Sequence, residues 1–340
     1  MRIGGIIRFF TVCFACFSIL LYNAADIFSA EKTPIKEAEK ESVFIEEEEK
    51  EEAVSIPEKQ EEKPVENTSS VAVTASAVKG KIIEKYVSPY TAKLSYNNVY
   101  VKNSSGLPVD IKPLLEGSLS FKIKKNEEPQ VLIMHTHTTE TFMDKDTDVY
   151  TENFNSRNTD NSKNMVKIGE TVAKKLNDAG IKTLHDKTQH DYPQYTGSYT
   201  RSAKTVSSYL KQYPSIKIVL DLHRDAISSG DSDKVKLATN INGKKAAQVM
   251  LVMGSQSGSV TNFPDWQENL KLALKLQQVL EVKYPTLARP LSLVSKNYNQ
   301  SLTKGSLLLE FGTDANSLDE AVYSAELVGE ALVSLFNTEG

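Results

Sequence analysis

Two histidines and a glutamate, His135, His137 and Glu140, stand within six residues of one another in the segment VLIMHTHTTE. Imidazole and carboxylate are the ligands zinc accepts when thiolate is absent. Thiolate is absent from this part of the chain, because the 2 cysteines, Cys13 and Cys16, both lie in an N-terminal apolar run. Side chains two apart on an extended chain face the same side, so only a turn after His137 brings Glu140 round to join it. A polar loop carrying one core histidine is the plainer reading. It has to explain why all 5 histidines fall between positions 135 and 223.

Two further clusters carry the same kind of chemistry. In DLHRDA, Asp221 to Ala226, His223 follows the apolar run IKIVL and offers a ligand from a neighbouring strand end. Arg224 would neutralise a substrate carboxylate or a developing oxyanion. Asp225 would orient a ligating histidine or pair with Arg224, and for both residues an ordinary salt bridge competes with function. In LLLEFGTDAN, Glu310 ends an apolar strand, where a carboxylate is costly to bury. Beside a metal-bound water it would serve as general base and then proton donor, and otherwise it caps the next element. His185 and His190 fall in LHDKTQHDYPQYTGSYTRS together with Tyr199 and Arg201. A loop so rich in Tyr, Gly and Ser suits carbohydrate or peptide contacts, and equally an ordinary surface loop. His190 ranks below His137 and His223 as a ligand, and nothing matches the helical HExxH or thiol-rich zinc patterns. A site of this kind is assembled from separate strand ends.

The elements that must position these residues alternate. Val131–Met134, Ile181–Leu184, Ile216–Leu220, Ala247–Met253 and Leu307–Glu310 read as strands, while Met165–Leu176, Thr200–Leu210, Asp265–Val282 and Leu318–Leu335 have helical spacing. Gly180 is placed to end the first of these helices. The pattern predicts an α/β fold with a mostly parallel or mixed sheet flanked by helices on both faces. In such sheets a site lies at the carboxyl ends of the strands, which is where the polar clusters fall.

The 340 residues are 40% hydrophobic and 25% charged, enough for a packed core, and the net charge of −4 argues against nucleic acid as the main partner. Residues 1–30 read as a membrane anchor: the apolar run Phe9–Tyr22 follows Arg2 and Arg8 and precedes Asp26 and Glu31, which places the remainder outside the cytoplasm. A cleaved signal peptide is the alternative, although no clear cleavage site follows. Residues 31–69, with EEEEKEE at their centre, read as a disordered acidic linker. Residues 70–126 read as an accessory segment without recognisable chemistry, and 127–340 as the catalytic domain.

HTHTTE, HDKTQHDYP, GSYTRS, DLHRDA and LLLEFGTDANS, in this order, resemble the stage II sporulation protein P family over roughly residues 127–340. The N-terminal anchor and acidic spacer also look like that family's. The resemblance implies an amidase-like fold related to zinc-dependent N-acetylmuramoyl-L-alanine amidases. It places the first zinc-binding histidine on His137, the second on His223 and the catalytic glutamate on Glu310. The amidases' acidic ligand comes from the start of a helix where this chain has Asp160 and Asn161, so Glu140 takes that place and His135 becomes a supporting residue. Further implied are Zn2+ as cofactor, a catalytic domain outside the cell membrane, and hydrolysis of peptidoglycan between muramic acid and L-alanine during engulfment. Stage II sporulation proteins D, a lytic transglycosylase, and M are the implied partners. A zinc endopeptidase cutting cross-links and a metal-free wall-binding scaffold are the rival readings.

Overall fold

The structure, a computed structural model, describes residues 77–125 and 128–339. The expected anchor and acidic linker lie outside the described residues, among which no helix is long and apolar enough to cross a membrane. Along the chain run β1 (Val78–Lys85), β2 (Leu94–Tyr96), β3 (Val99–Asn103), α1 (Ile111–Glu116), β4 (Val131–Met134), β5 (Val149–Thr151), α2 (Met165–Asp178), β6 (Thr183–His185) and α3 (Ser198–Gln212). Then follow β7 (Ile218–Asp225), β8 (Ser228–Ser229), β9 (Asp233–Ile241), β10 (Lys244–Ala247), β11 (Val249–Gly254), α4 (Trp266–Lys283), β12 (Leu291–Val294), β13 (Ser306–Thr313) and α5 (Leu318–Glu339).

All four side chains of β4 are buried, which requires cover on both faces. Alternation supplies it: Val131 and Ile133 enter the larger core with α2, α4 and α5, while Leu132 and Met134 enter a smaller one with Val206 of α3. The main sheet has eight strands in the order β2-β3-β12-β11-β13-β7-β4-β6. Its β13–β7, β7–β4 and β4–β6 pairs are parallel and its β11–β13 and β2–β3 pairs antiparallel, so the sheet is mixed. Helix ends follow local chemistry. Gly180 sits at φ 79 just past α2, and the Asn164 side chain caps the start of that helix by accepting from Val166 N–H. At α5, Ser317 Oγ accepts from Glu320 N–H while Glu320 Oε2 accepts from Ser317 N–H, a reciprocal capping box.

Sequence periodicity did not reveal a second sheet, in which β10, β9, β1 and β5 lie side by side and β8 pairs with β9. From β1 onward, the segment expected to be accessory is built into both sheets. β1 pairs with β5 and β9, and β3 extends the main sheet through β12. The second sheet is pinned to the end of β13 and the turn after it, since Thr313 Oγ1 donates to Val235 O at 2.7 Å and Asn316 Nδ2 to Leu237 O at 3.1 Å. Charge reinforces it: the buried Lys236 meets Asp146, Glu84 at 3.1 Å and Glu320 at 3.7 Å, and Lys245 is 2.9 Å from both Glu84 and Asp146.

These contacts make the sheet sensitive to acid. The Lys245 hydrogen bond holds the Glu84 carboxyl below its ordinary range, and the Lys236 bond does the same for Asp146. A carboxyl with a depressed folded-state pKa contributes stability that is complete above its unfolded value and is lost as pH falls through the folded one. The melting temperature is therefore expected to fall below about pH 4. Lys245→Met should melt lower at pH 6 but fall less between pH 6 and pH 3. Because the carboxylates are half exposed, the effect at pH 6 is less than about 1 kcal/mol per pair. Thermal melts across pH check it, and an unchanged slope in the variant would refute it.

Candidate functional site

Strand register brings the chemistry together. Glu310 of β13 lies directly beside His223 of β7, and Met134 of β4 beside Asp221. Neighbours in a parallel pair point the same way, so Asp221, His223 and Glu310 share the sheet face opposite the buried Leu220, Leu222 and Leu309. After β4 a turn closes with Glu140 N–H donating to His137 O at 3.3 Å, and it carries Glu140 back to His223. Glu140 Oε2 is 3.6 Å from His223 Nδ1 and accepts from Arg224 N–H at 3.2 Å. The His137 ring stands perpendicular to that of His223, centroids 5.2 Å apart. The structure thus gathers His137 and Glu140 from the turn after β4 with His223 and Glu310 from within β7 and β13, strands that run on to Asp225 and Thr313 rather than ending at Leu220 and Glu310.

Electrostatics separate the two carboxyls. Burial drives the Glu140 pKa up, but the charges of Arg224 and His223 more than reverse this and hold it ionised. Burial pushes Glu310 up to about 8, with the nearby Asp225 and Glu140 charges adding to the rise and His223 opposing it. Its Oε2 is buried without any hydrogen-bond partner. His223 is also buried, which disfavours its charged form, yet the carboxylates of Asp221 and Glu140 raise its pKa well above the ordinary value. Two carboxyls in one site, one pinned ionised and one near neutrality, form the arrangement that acid–base chemistry uses.

Several expected roles move. Asp225 neither orients a histidine nor meets the Arg224 side chain by its carboxylate; it pairs with Arg289 at 2.9 Å. The orienting contact is made by Asp221, whose Oδ1 lies 2.8 Å from His223 Nε2 as an ion pair outside good hydrogen-bond alignment. Asp221 is itself fixed by Thr136, through N–H at 2.8 Å and Oγ1 at 2.7 Å. Its signal was present in DLH, since residues two apart on a strand share a face. Arg224 is not free for an oxyanion, because Nε donates to Thr141 O at 3.0 Å and Nη2 to Ser156 O at 2.6 Å. It braces the chain after Glu140.

His190 uses both nitrogens inside the protein, on His135 O at 2.8 Å and Thr205 Oγ1 at 2.9 Å. Arg201, half-buried, grips the carbonyls of His190, Gln194 and Thr196 and so shapes this loop. Tyr199 stands edge-on to His137 with centroids 5.7 Å apart. The expectation did not include Tyr195, whose ring stacks on His137 at 4.7 Å and whose hydroxyl is 3.2 Å from Nε2. The Arg157 guanidinium lies over the Tyr195 ring, 4.5 Å from its centroid.

His135 meets His185. Their Nε2 atoms are 2.9 Å apart, and burial lowers the pKa to about 4 for His135 and about 3 for His185, so the pair is uncharged. α2 passes close against it: a Cβ at Gly169 would lie 2.4 Å from His185 Nε2 and 2.7 Å from His135 Nε2. Gly169→Ala, stabilising by helix propensity in isolation, should therefore destabilise by about 1–3 kcal/mol through overpacking. Denaturant unfolding checks the sign. A variant as stable as the parent would mean that the pair yields easily.

The donor set of two imidazoles and a carboxylate is of the kind zinc accepts, and the orphaned Oε2 of Glu310 beside it is an acceptor that a cation-bound group would satisfy. Among the described residues no three His, Cys, Asp or Glu side chains are drawn close enough to hold a metal as they stand.

The sequence pattern of the stage II sporulation protein P family matches residues 14–333. A stage II sporulation protein P from Bacillus subtilis (strain 168) is 29% identical over 224 residues, covering 61% of this chain and 51% of that protein. The chain thus spans about half the length of this curated relative. Among solved structures, the CwlD amidase from Clostridioides difficile in complex with the GerS lipoprotein is 10% identical, covering 62% of this chain and 98% of that one, with a TM-score of 0.39. The N-acetylmuramyl-L-alanine amidase Ami1 from Mycobacterium smegmatis is 11% identical, covering 63% and 99%, with a TM-score of 0.38. Scores of this size establish no correspondence between residues.

Proposed function

Because the chain belongs to the stage II sporulation protein P family, we propose that it is a peptidoglycan hydrolase of sporulation that cleaves the amide between N-acetylmuramic acid and L-alanine. The observation that carries this reading is the buried Oε2 of Glu310, without a hydrogen-bond partner, beside His223 and near an ionised Glu140. His137, Glu140 and His223 would hold a zinc ion. When bound, zinc supplies a Lewis acid and a water that ionises near pH ~7.

This chain's own residues do the rest. Asp221 holds His223 by Nε2, leaving Nδ1 turned toward Glu140. Arg224 fixes the segment after Glu140 by its carbonyls. Glu310 takes a proton from water as the oxygen attacks the carbonyl carbon, then returns it to the departing alanine nitrogen as the C–N bond breaks. Tyr195 and Arg157 wall one side of His137. In this reading the apolar segment Phe9–Tyr22 anchors the chain in the cell membrane with residues 77–340 outside. Stage II sporulation proteins D and M act beside it.

Digestion of purified peptidoglycan by the full-length protein, with zinc or with a chelator, tests the reading by mass analysis of the products. Free stem peptides, lost on chelation, are expected. Uncrosslinked peptides still attached to glycan would make it an endopeptidase. Absence of stoichiometric zinc together with absence of any cleavage would leave a wall-binding scaffold.

A further inference from the structure

We infer that a groove along α3 receives the peptide arm of the substrate through that peptide's carboxylates. This rests on the hydrolase reading above and adds which part of the wall polymer leaves the site in which direction. The groove begins at Tyr199, whose ring is edge-on to His137, and runs past Lys204, Ser207 and Ser208 to Lys211, with Asn299 on its other wall. No carboxylate lines it. Lys204 and Lys211 are exposed, and among the described residues neither is in an ion pair. In a chain of net charge −4 this is a local cationic track.

The opposite wall is built rather than incidental. Asn299 adopts a left-handed backbone conformation, φ 57, which a short amide side chain tolerates. Asn299 Nδ2 donates to Tyr199 O at 2.8 Å and to Ser202 Oγ at 3.1 Å, tying that wall to the first turns of α3.

The chemistry of the substrate selects the occupant. The bond to be cut joins an N-acetylated, uncharged sugar strand to a peptide that carries several carboxylates. Two lysines two helical turns apart, about 10 Å along the axis, are spaced so that each meets a different carboxylate of one extended peptide. Surface charge of this kind selects and orients a partner more than it adds raw affinity. Hydroxyls of Ser207 and Ser208 between the lysines supply hydrogen bonds to the peptide backbone.

Lys204→Glu with Lys211→Glu in the full-length protein tests the groove, both positions being exposed so that the melting temperature should not change. The probes are the free tetrapeptide L-Ala-γ-D-Glu-diaminopimelate-D-Ala and chitotetraose. The double variant should bind the tetrapeptide about tenfold more weakly and show a KM for wall digestion raised by a similar factor, with kcat unchanged. Its chitotetraose binding should equal that of the parent. Equal tetrapeptide binding by parent and variant, or no binding by either, overturns the proposal. Loss of chitotetraose binding instead would assign the groove to the glycan and overturn it equally. Should the parent bind the tetrapeptide through these lysines yet release no stem peptides, the groove stands and the hydrolase reading falls.

Discussion

A fragment starting at Glu127 should be recovered unfolded or aggregated, whereas one starting at Ala77 should melt cooperatively. The sequence places a domain boundary near 127 because the chemistry begins there, but the packing does not respect it. Val99, Val101, Ile111, Leu115 and Ile123 all lie in the larger core with 8% exposure or less. At about 1.5–3 kcal/mol for each such side chain, their loss equals the net stability of a typical domain, about 5–15 kcal/mol. The fragment also loses β1, which would leave β5 and the outer edge of β9 unpaired, the kind of open strand edge that aggregates. Circular dichroism and thermal melts of the two fragments decide it. A cooperative transition for 127–340 within a few degrees of the longer fragment would show that β1 to α1 are dispensable.

Glu310→Gln should lower stem-peptide release by about 10²- to 10⁴-fold while leaving the fold at least as stable. The amide has the shape of the carboxyl but cannot carry the proton. Because Oε2 has no hydrogen-bond partner to lose, the substitution breaks nothing that holds the protein together. Glu140→Gln is the informative contrast. That carboxylate meets Arg224 N–H and His223 in a buried setting, so its loss should cost about 3–5 kcal/mol as well as activity. Product release followed by mass, with denaturant unfolding of both variants, separates the two. Wall cleavage by Glu310→Gln at the parental rate would remove Glu310 from the chemistry.

Much of the central architecture was legible in the sequence. The apolar runs Val131–Met134 and Leu307–Leu309 become buried strands, and the helix expected at Met165–Leu176 is α2, extended to Asp178 and followed by Gly180 in a left-handed conformation. The turn required after His137 is present. The second sheet was not legible. β1 reads VKGKIIEK, with only Gly80 and Ile82 buried, and a strand so polar is stabilised by its partners rather than by its own pattern.

Residue types and local spacing were enough to single out the candidate residues, because ligand preference and side-chain periodicity are local properties. The allocation of roles was not local. DLHRDA offers two aspartates and an arginine around one histidine. Only the packed structure shows Asp225 turned to Arg289 and Arg224 spent on backbone carbonyls. For Asp225 and Arg224, partners more than 60 residues away settle what each group meets. Register between β7 and β13, itself imposed by the core on the other side of the sheet, sets Glu310 beside His223. Hydrogen bonds and charges are satisfied by whatever the tertiary fold brings within about 3 Å, and sequence spacing carries no such information.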